Sequence, residues 1–144
     1  MNKQGWGLAL LRVCLGVFFL FEGFGKVAWL ADSNILVGRL AGWMSEPGAV
    51  SATRWYLSHV AMPGVAIFAR LVPLGELAAG IALIAGVWTR TAAALALLMV
   101  LNFHVASGAI FHMPFLTNGY GLPVLGGTLA LAVGGLRLPL SLRR

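Results

Sequence analysis

Apolar residues dominate long stretches of this chain and are interrupted only by short polar breaks. The first apolar run extends from about Trp6 to Lys26, the second from about Gly64 to Trp88 with Pro73 inside it, the third from about Thr91 to Ser107, and the fourth from about Leu122 to Leu136. A span needs about 20 largely apolar residues, and the first three runs approach or exceed that length. The break Trp88, Thr89, Arg90 is so tight that the second and third runs must be antiparallel neighbours. Residues 108–121 contain Pro114, Asn118 and three glycines, a composition that punctuates rather than spans. Pro123 then sits where a first helical turn tolerates it. The pattern predicts an all-α integral membrane four-helix bundle, a single transmembrane domain over residues 1–144 with spans at about 6–26, 64–88, 91–107 and 122–136.

Between the first two runs lies a stretch, Val27 to Pro63, too polar to cross and too rich in Trp, Leu and Val to be a free linker. Ile35, Leu36, Arg39, Leu40 and Trp43 recur at helical spacing. Trp43, Trp55 and Tyr56 are residue types that settle at headgroup level. The first loop is therefore expected to be interfacial and partly helical.

Composition supports this picture. Of 144 residues, 60% are hydrophobic and only 10% charged, too little polar surface to coat a soluble globule. The net charge of +6 comes from ten scattered Lys and Arg rather than a cluster among stacking aromatics, so nucleic acid is not an expected partner. Membrane lipids are. Lys3, Arg90, Arg137, Arg143 and Arg144 share one side with no acidic residue, whereas Arg39 and Arg54 are balanced by Asp32 and Glu46, so both termini are expected on the cytoplasmic side. Lys3 ahead of an apolar run imitates a secretory signal, but without a small-x-small cleavage site it reads as an uncleaved span. Cys14 is the single cysteine; it excludes a CxxC pair and a disulfide relay, and reads as a small core hydrophobe.

Four charges fall inside the runs: Arg12, Glu22, Arg70 and Glu76. Unpaired, each costs at least ~2.5 kcal/mol, so each should face protein. Arg12, Gly16, Phe19, Gly23 and Lys26 share one helical face, and Arg70, Pro73, Glu76 and Gly80 are taken to share another. Depth along the helices makes Glu22 and Arg70 the expected cross-helix ion pair, with Glu76 meeting Arg12 or Asn102 and Glu22 also meeting Lys26 at i, i+4. Pro73 frees a backbone carbonyl beside Arg70. His104 is expected level with Glu22 and Arg70, where it can join a proton-relaying cluster. Asn102 lies about 200° from it around the helix, so one of the two must meet a loop, a lipid headgroup or another subunit. Such pairs serve either as glue that sets helix register or as a functional polar site. His59, His104 and His112 lack ligand spacing, so no metal site is expected, and no nucleotide loop or nucleophile elbow is present.

The segments LRVCLGVFFLFEGFGKV (Leu11 to Val27) and FARLVPLGELAAGIALIAGVWTRTAAALALLMV (Phe68 to Val100) resemble the DoxX/DoxD family of four-helix membrane proteins. The likeness is carried by Arg12, Gly16, Gly23 and Lys26 in the first, by Glu76, Gly80, Gly86, Thr89 and Arg90 in the second, and by Arg54 to Val60 with Pro63 in the first loop. It weakens beyond the third run. The resemblance implies a group that includes the DoxD subunit of thiosulfate:quinone oxidoreductase, in a bacterial or archaeal cytoplasmic membrane, and it supplies no settled catalytic residues.

Two functions follow as expectations. One is a subunit of a quinone-linked oxidoreductase in which Glu22, Arg70, Glu76 and His104 contact a quinone head group near the outer leaflet, with no covalent cofactor and with electrons carried by a partner or the quinone itself. The other is a non-catalytic subunit that stabilises a larger membrane complex, docking through its Gly and Ala stripe and its Trp-rich loop; other membrane subunits or a second copy are the expected protein partners. A transporter or channel is disfavoured, since no repeat and no polar path through the inner half beyond Arg12 is evident.

Overall fold

In hydrocarbon the backbone has no water to bond, so apolar runs of this length close their own hydrogen bonds as α-helices. The computed structural model describes residues 3–142, and every regular element among them is helical. Helix α1 covers Lys3–Phe24, followed by α2 (Ala28–Ala31), α3 (Asn34–Ser45) and α4 (Ser51–Tyr56), which runs on into a π-helical turn at Leu57–Ala61. Then come α5 (Val65–Ala85), α6 (Thr89–Ala106), two short 3₁₀ turns at Ala109–Phe111 and Met113–Leu116, and α7 (Leu122–Gly134). Helices α1, α5 and α6 are long and apolar enough to cross a membrane. With 13 residues, α7 reaches roughly 20 Å at ~1.5 Å per residue, short of the ~30 Å hydrocarbon thickness.

Small residues set how these helices pack. The largest helix interface is between α1 and α5, and it closes over Gly16 and Gly80. A Cβ on Gly80 would lie 2.6 Å from Leu20 N and one on Gly16 would lie 2.9 Å from Ile84 N, so the backbones touch where no side chain intervenes. Leu15, Phe19, Leu83, Ala93, Ala96, Val124 and Leu131 fill the space among α1, α5, α6 and α7. On α7, Gly127 is buried against Leu15 and Leu11, and Gly134 lies beside Leu8. Of the small-residue stripe Pro123, Gly127, Ala130 and Gly134, only Gly127 is buried; Pro123 and Gly134 stay exposed.

Cys14 also departs from expectation. It is exposed on the outer face of α1, two residues from buried Arg12 and hence about 200° away around the helix. The first loop, by contrast, does more than anchor. Trp29, Leu36, Leu40, Leu57 and Ala61 pack with Ala69 and Ala106 into a second core that seals one end of the bundle.

At the opposite end the start of α1, the α5–α6 turn and the segment after α7 converge. Leu138 is buried, Leu142 N donates to Ala85 O at 3.0 Å, and Gly5 lies beside Pro139. The bundle thus has a capped loop end and a terminal end.

Candidate functional site

At the loop end α1 stops at Phe24 and the chain turns, with Lys26 N donating to Gly23 O at 3.0 Å. The turn lays the Lys26 side chain back across α5, where it is only 5% exposed. Its Nζ donates to Glu22 Oε2 at 2.7 Å, to Glu22 O at 3.2 Å and to both carboxylate oxygens of Glu76 at 3.0 and 2.9 Å. Two carboxylates therefore share one ammonium, and with all three ionised the cluster carries one net negative charge in a poorly solvated place.

A cavity of about 70 Å³ opens onto this cluster and is also lined by Phe18, Met99, Asn102, His104 and Tyr120. His104 is buried on α6 and its Nε2 lies 2.8 Å from Tyr120 O. A carbonyl oxygen only accepts, so Nε2 carries the proton, and a neutral ring keeps a lone pair on Nδ1. That atom is buried without a hydrogen-bond partner among the described residues. Phe115 packs edge-on against the ring at 4.9 Å between centroids and helps hold its plane. Asn102 turns instead to the first loop, where its Oδ1 accepts from the Tyr56 hydroxyl. Burial raises the Tyr56 phenol above its ordinary range, so it remains a donor at neutral pH.

The structure thus brings Glu22, Lys26, Glu76, Asn102 and His104 to one cavity. Both Asn102 and His104 meet loops, one through Tyr56 and the other through Tyr120, although only one of them was expected to.

Arg70 does not join them, and the expected Glu22–Arg70 ion pair does not form. Arg70 is exposed and its Nη1 donates to Ala66 O, one turn back, at 2.7 Å. The reason is helical arithmetic. Two successive steps of three residues each fall about 60° short of a full turn, which leaves Arg70 about 120° from Glu76. Ala69 takes the buried position with Pro73, Glu76 and Gly80.

Nor does Arg12 pair with Glu76. It is fully buried at the terminal end, where Nη1 donates to Ser141 Oγ at 2.6 Å and Nη2 to Leu140 O at 2.9 Å. Gly86, at φ +68°, makes this possible, since a Cβ there would overlap the guanidinium. Asn102 likewise makes no bond to Glu76. The bridge from Lys26 to Glu76 was not foreseen. Its signal was the face that Arg12, Gly16, Phe19, Gly23 and Lys26 share on the first helix, the face that meets α5.

Arg12, Glu22, Lys26, Arg70 and Glu76 all fall inside a stretch recognised by a known family. The DoxX family model matches residues 7–113. The chain belongs to the DoxX family. No curated protein and no solved structure gives a match. For this DoxX chain the motif residues now have physical roles: Gly16 and Gly80 let α1 and α5 touch, Lys26 and Glu76 form the buried bridge, and Arg12 and Gly86 build the clasp at the other end. Tyr120 and α7 lie outside the matched residues. Among the described residues no three of His, Cys, Asp and Glu converge on a metal position.

Proposed function

We propose that this DoxX protein is a membrane subunit of a quinone-linked oxidoreductase, and that a quinone or quinol head group meets the chain at the Glu22, Lys26, Glu76 and His104 cavity. The observation that carries this reading is a buried acceptor without a partner among the described residues, His104 Nδ1, on a side chain that lines the same cavity as the carboxylate and ammonium cluster. A quinol hydroxyl needs an acceptor that can take its proton, and a quinone carbonyl needs a donor; imidazole and ammonium are of these two kinds. With about 70 Å³ the cavity accepts one polar edge of a ring rather than the whole ring, so contact is made carbonyl first. Electrons come from a partner subunit, and the chain contributes position and proton transfer. By the positive-inside rule the terminal end, with Lys3, Arg90 and Arg137, faces the cytoplasm of a bacterial or archaeal cell, which puts the cavity toward the outer leaflet.

The test uses the chain in its native membranes. Glu76→Gln and His104→Ala are expected to lower quinone reduction at least tenfold while insertion and accumulation stay normal; Arg70→Ala, outside the cavity, leaves it unchanged. Wild-type rates in both cavity variants would overturn the reading. A second reading, a non-catalytic subunit of a larger complex, is favoured by one observation: Lys26 already satisfies both carboxylates within the chain. A partner retained in mild detergent with no dependence on quinone supports it.

A further inference from the structure

At the terminal end a cavity of about 560 Å³ opens between the start of α6, the end of α7 and the segment that follows. Arg90, Arg137, Thr89, Thr91 and Ser141 line it. Among the described residues Arg90 commits only its Nε, donating to Ala132 O at 2.8 Å, and Arg137 has no ion pair. The four acidic residues of the chain are Glu22, Asp32, Glu46 and Glu76, and none of them lines this cavity. Two guanidinium forks therefore stand beside three hydroxyl side chains with no acidic side chain among the described residues to neutralise them.

A second cavity, of about 420 Å³, follows the seam between α5 and α6 and is lined by Leu71, Gly75, Ala78, Ala82, Leu95 and Leu98 among others. Between Ala82 and Leu71 it runs roughly 16 Å at ~1.5 Å per residue. Trp88 and Thr91 line both cavities, so the cationic mouth and the apolar trough adjoin. Trp88 and Arg137 hold left-handed backbone at φ 48° and 52°. That conformation costs on the order of 1 kcal/mol or more for residues with a Cβ and gathers at ligand-holding sites.

A cationic mouth joined to a dry trough is complementary to a molecule with an anion at one end and hydrocarbon at the other. We propose that this composite cavity binds an anionic phospholipid, with its phosphate on Arg90 and Arg137 and one acyl chain along the α5–α6 seam. Arginine suits the role because its planar fork matches phosphate oxygens two at a time. A free phosphate would use the mouth alone. A second copy of the chain would bring more arginine and no acid to it, which is repulsive.

The full chain, purified in mild detergent, is titrated with phosphatidylglycerol or with phosphatidylcholine of the same acyl chains and read by native mass spectrometry. Phosphatidylglycerol should be retained preferentially. Arg90→Gln with Arg137→Gln should lower its retention by about 25-fold, roughly fivefold per arginine, and leave phosphatidylcholine unchanged. Ala78→Phe, at the exposed rim of the trough, should lower retention of both lipids. Equal retention of the two lipids by the wild type, or unchanged phosphatidylglycerol retention in either variant, would overturn the proposal. So would stabilisation of the chain by inorganic phosphate alone to the same extent as by phosphatidylglycerol, or recovery of a quinone in place of phospholipid. Should the double arginine variant not accumulate, the Ala78→Phe result decides.

Discussion

Lys26 and Arg12 are both buried cations on the same face of the first helix and its extension, and the bundle treats them in opposite ways. Lys26 is met by two carboxylates. Arg12 meets none; its partners are a hydroxyl and a backbone carbonyl, and its Nε is left without one among the described residues. The loop end therefore over-compensates its cation, while the terminal end dilutes its cation among neutral oxygens. An excess of carboxylate creates a place where a proton can be gained or lost, whereas a guanidinium among neutral acceptors has no such freedom and serves to tie segments together.

The largest effect that sharpens this contrast is expected from Lys26→Met. It strands the buried Glu76 carboxylate and the partly exposed one of Glu22, and losing one partner of a buried pair typically costs about 3–5 kcal/mol; thermal unfolding in detergent measures it. Adding Glu76→Gln to Lys26→Met should recover part of that loss, because less charge is left uncompensated. A double variant less stable than Lys26→Met would mean that the two ends do not differ as described.

Arg12→Gln comes next. Its two charge-assisted hydrogen bonds contribute at least about 1.5 kcal/mol each, so their loss is expected to cost about 3 kcal/mol in total, and it should loosen residues 138–142. Limited proteolysis checks the second point, since cleavage confined to that segment separates a clasp from a general loss of packing. Tyr56→Phe removes one hydrogen bond, to Asn102, and should cost about 1 kcal/mol with no change at the terminal end. Smallest is Cys14→Ala, expected within about 0.5 kcal/mol because the side chain faces outward; a larger loss would place Cys14 inside the core after all.

Much of the fold was legible because hydropathy in a bilayer has few solutions. Helices were expected at about 6–26, 64–88, 91–107 and 122–136 and are observed at Lys3–Phe24, Val65–Ala85, Thr89–Ala106 and Leu122–Gly134. The helical spacing of Leu36 and Leu40 likewise reappears in α3, with both residues buried.

The site was only half legible. Glu22, Glu76 and His104 do share a cavity, but the cation that joins the two acids is Lys26. Arg70 was favoured because depth alone was matched across helices; the angular position around α5 excludes it. The bonds from Arg12 to Ser141, from His104 to Tyr120 and from Tyr56 to Asn102 join a helix to a loop or tail 129, 16 and 46 positions away. Loop paths carry no hydrophobic period, and a pattern confined to helices holds no record of them.

The clasp on Arg12 bears on biogenesis. Its hydroxyl partner emerges from the ribosome 129 residues later, a delay on the order of ten seconds at ~5–20 residues per second. Throughout that interval α1 carries a guanidinium whose final acceptors do not yet exist. Nascent chains arrested before Ser141 should therefore keep that segment within reach of the insertion machinery, and release into lipid should await Leu140 and Ser141.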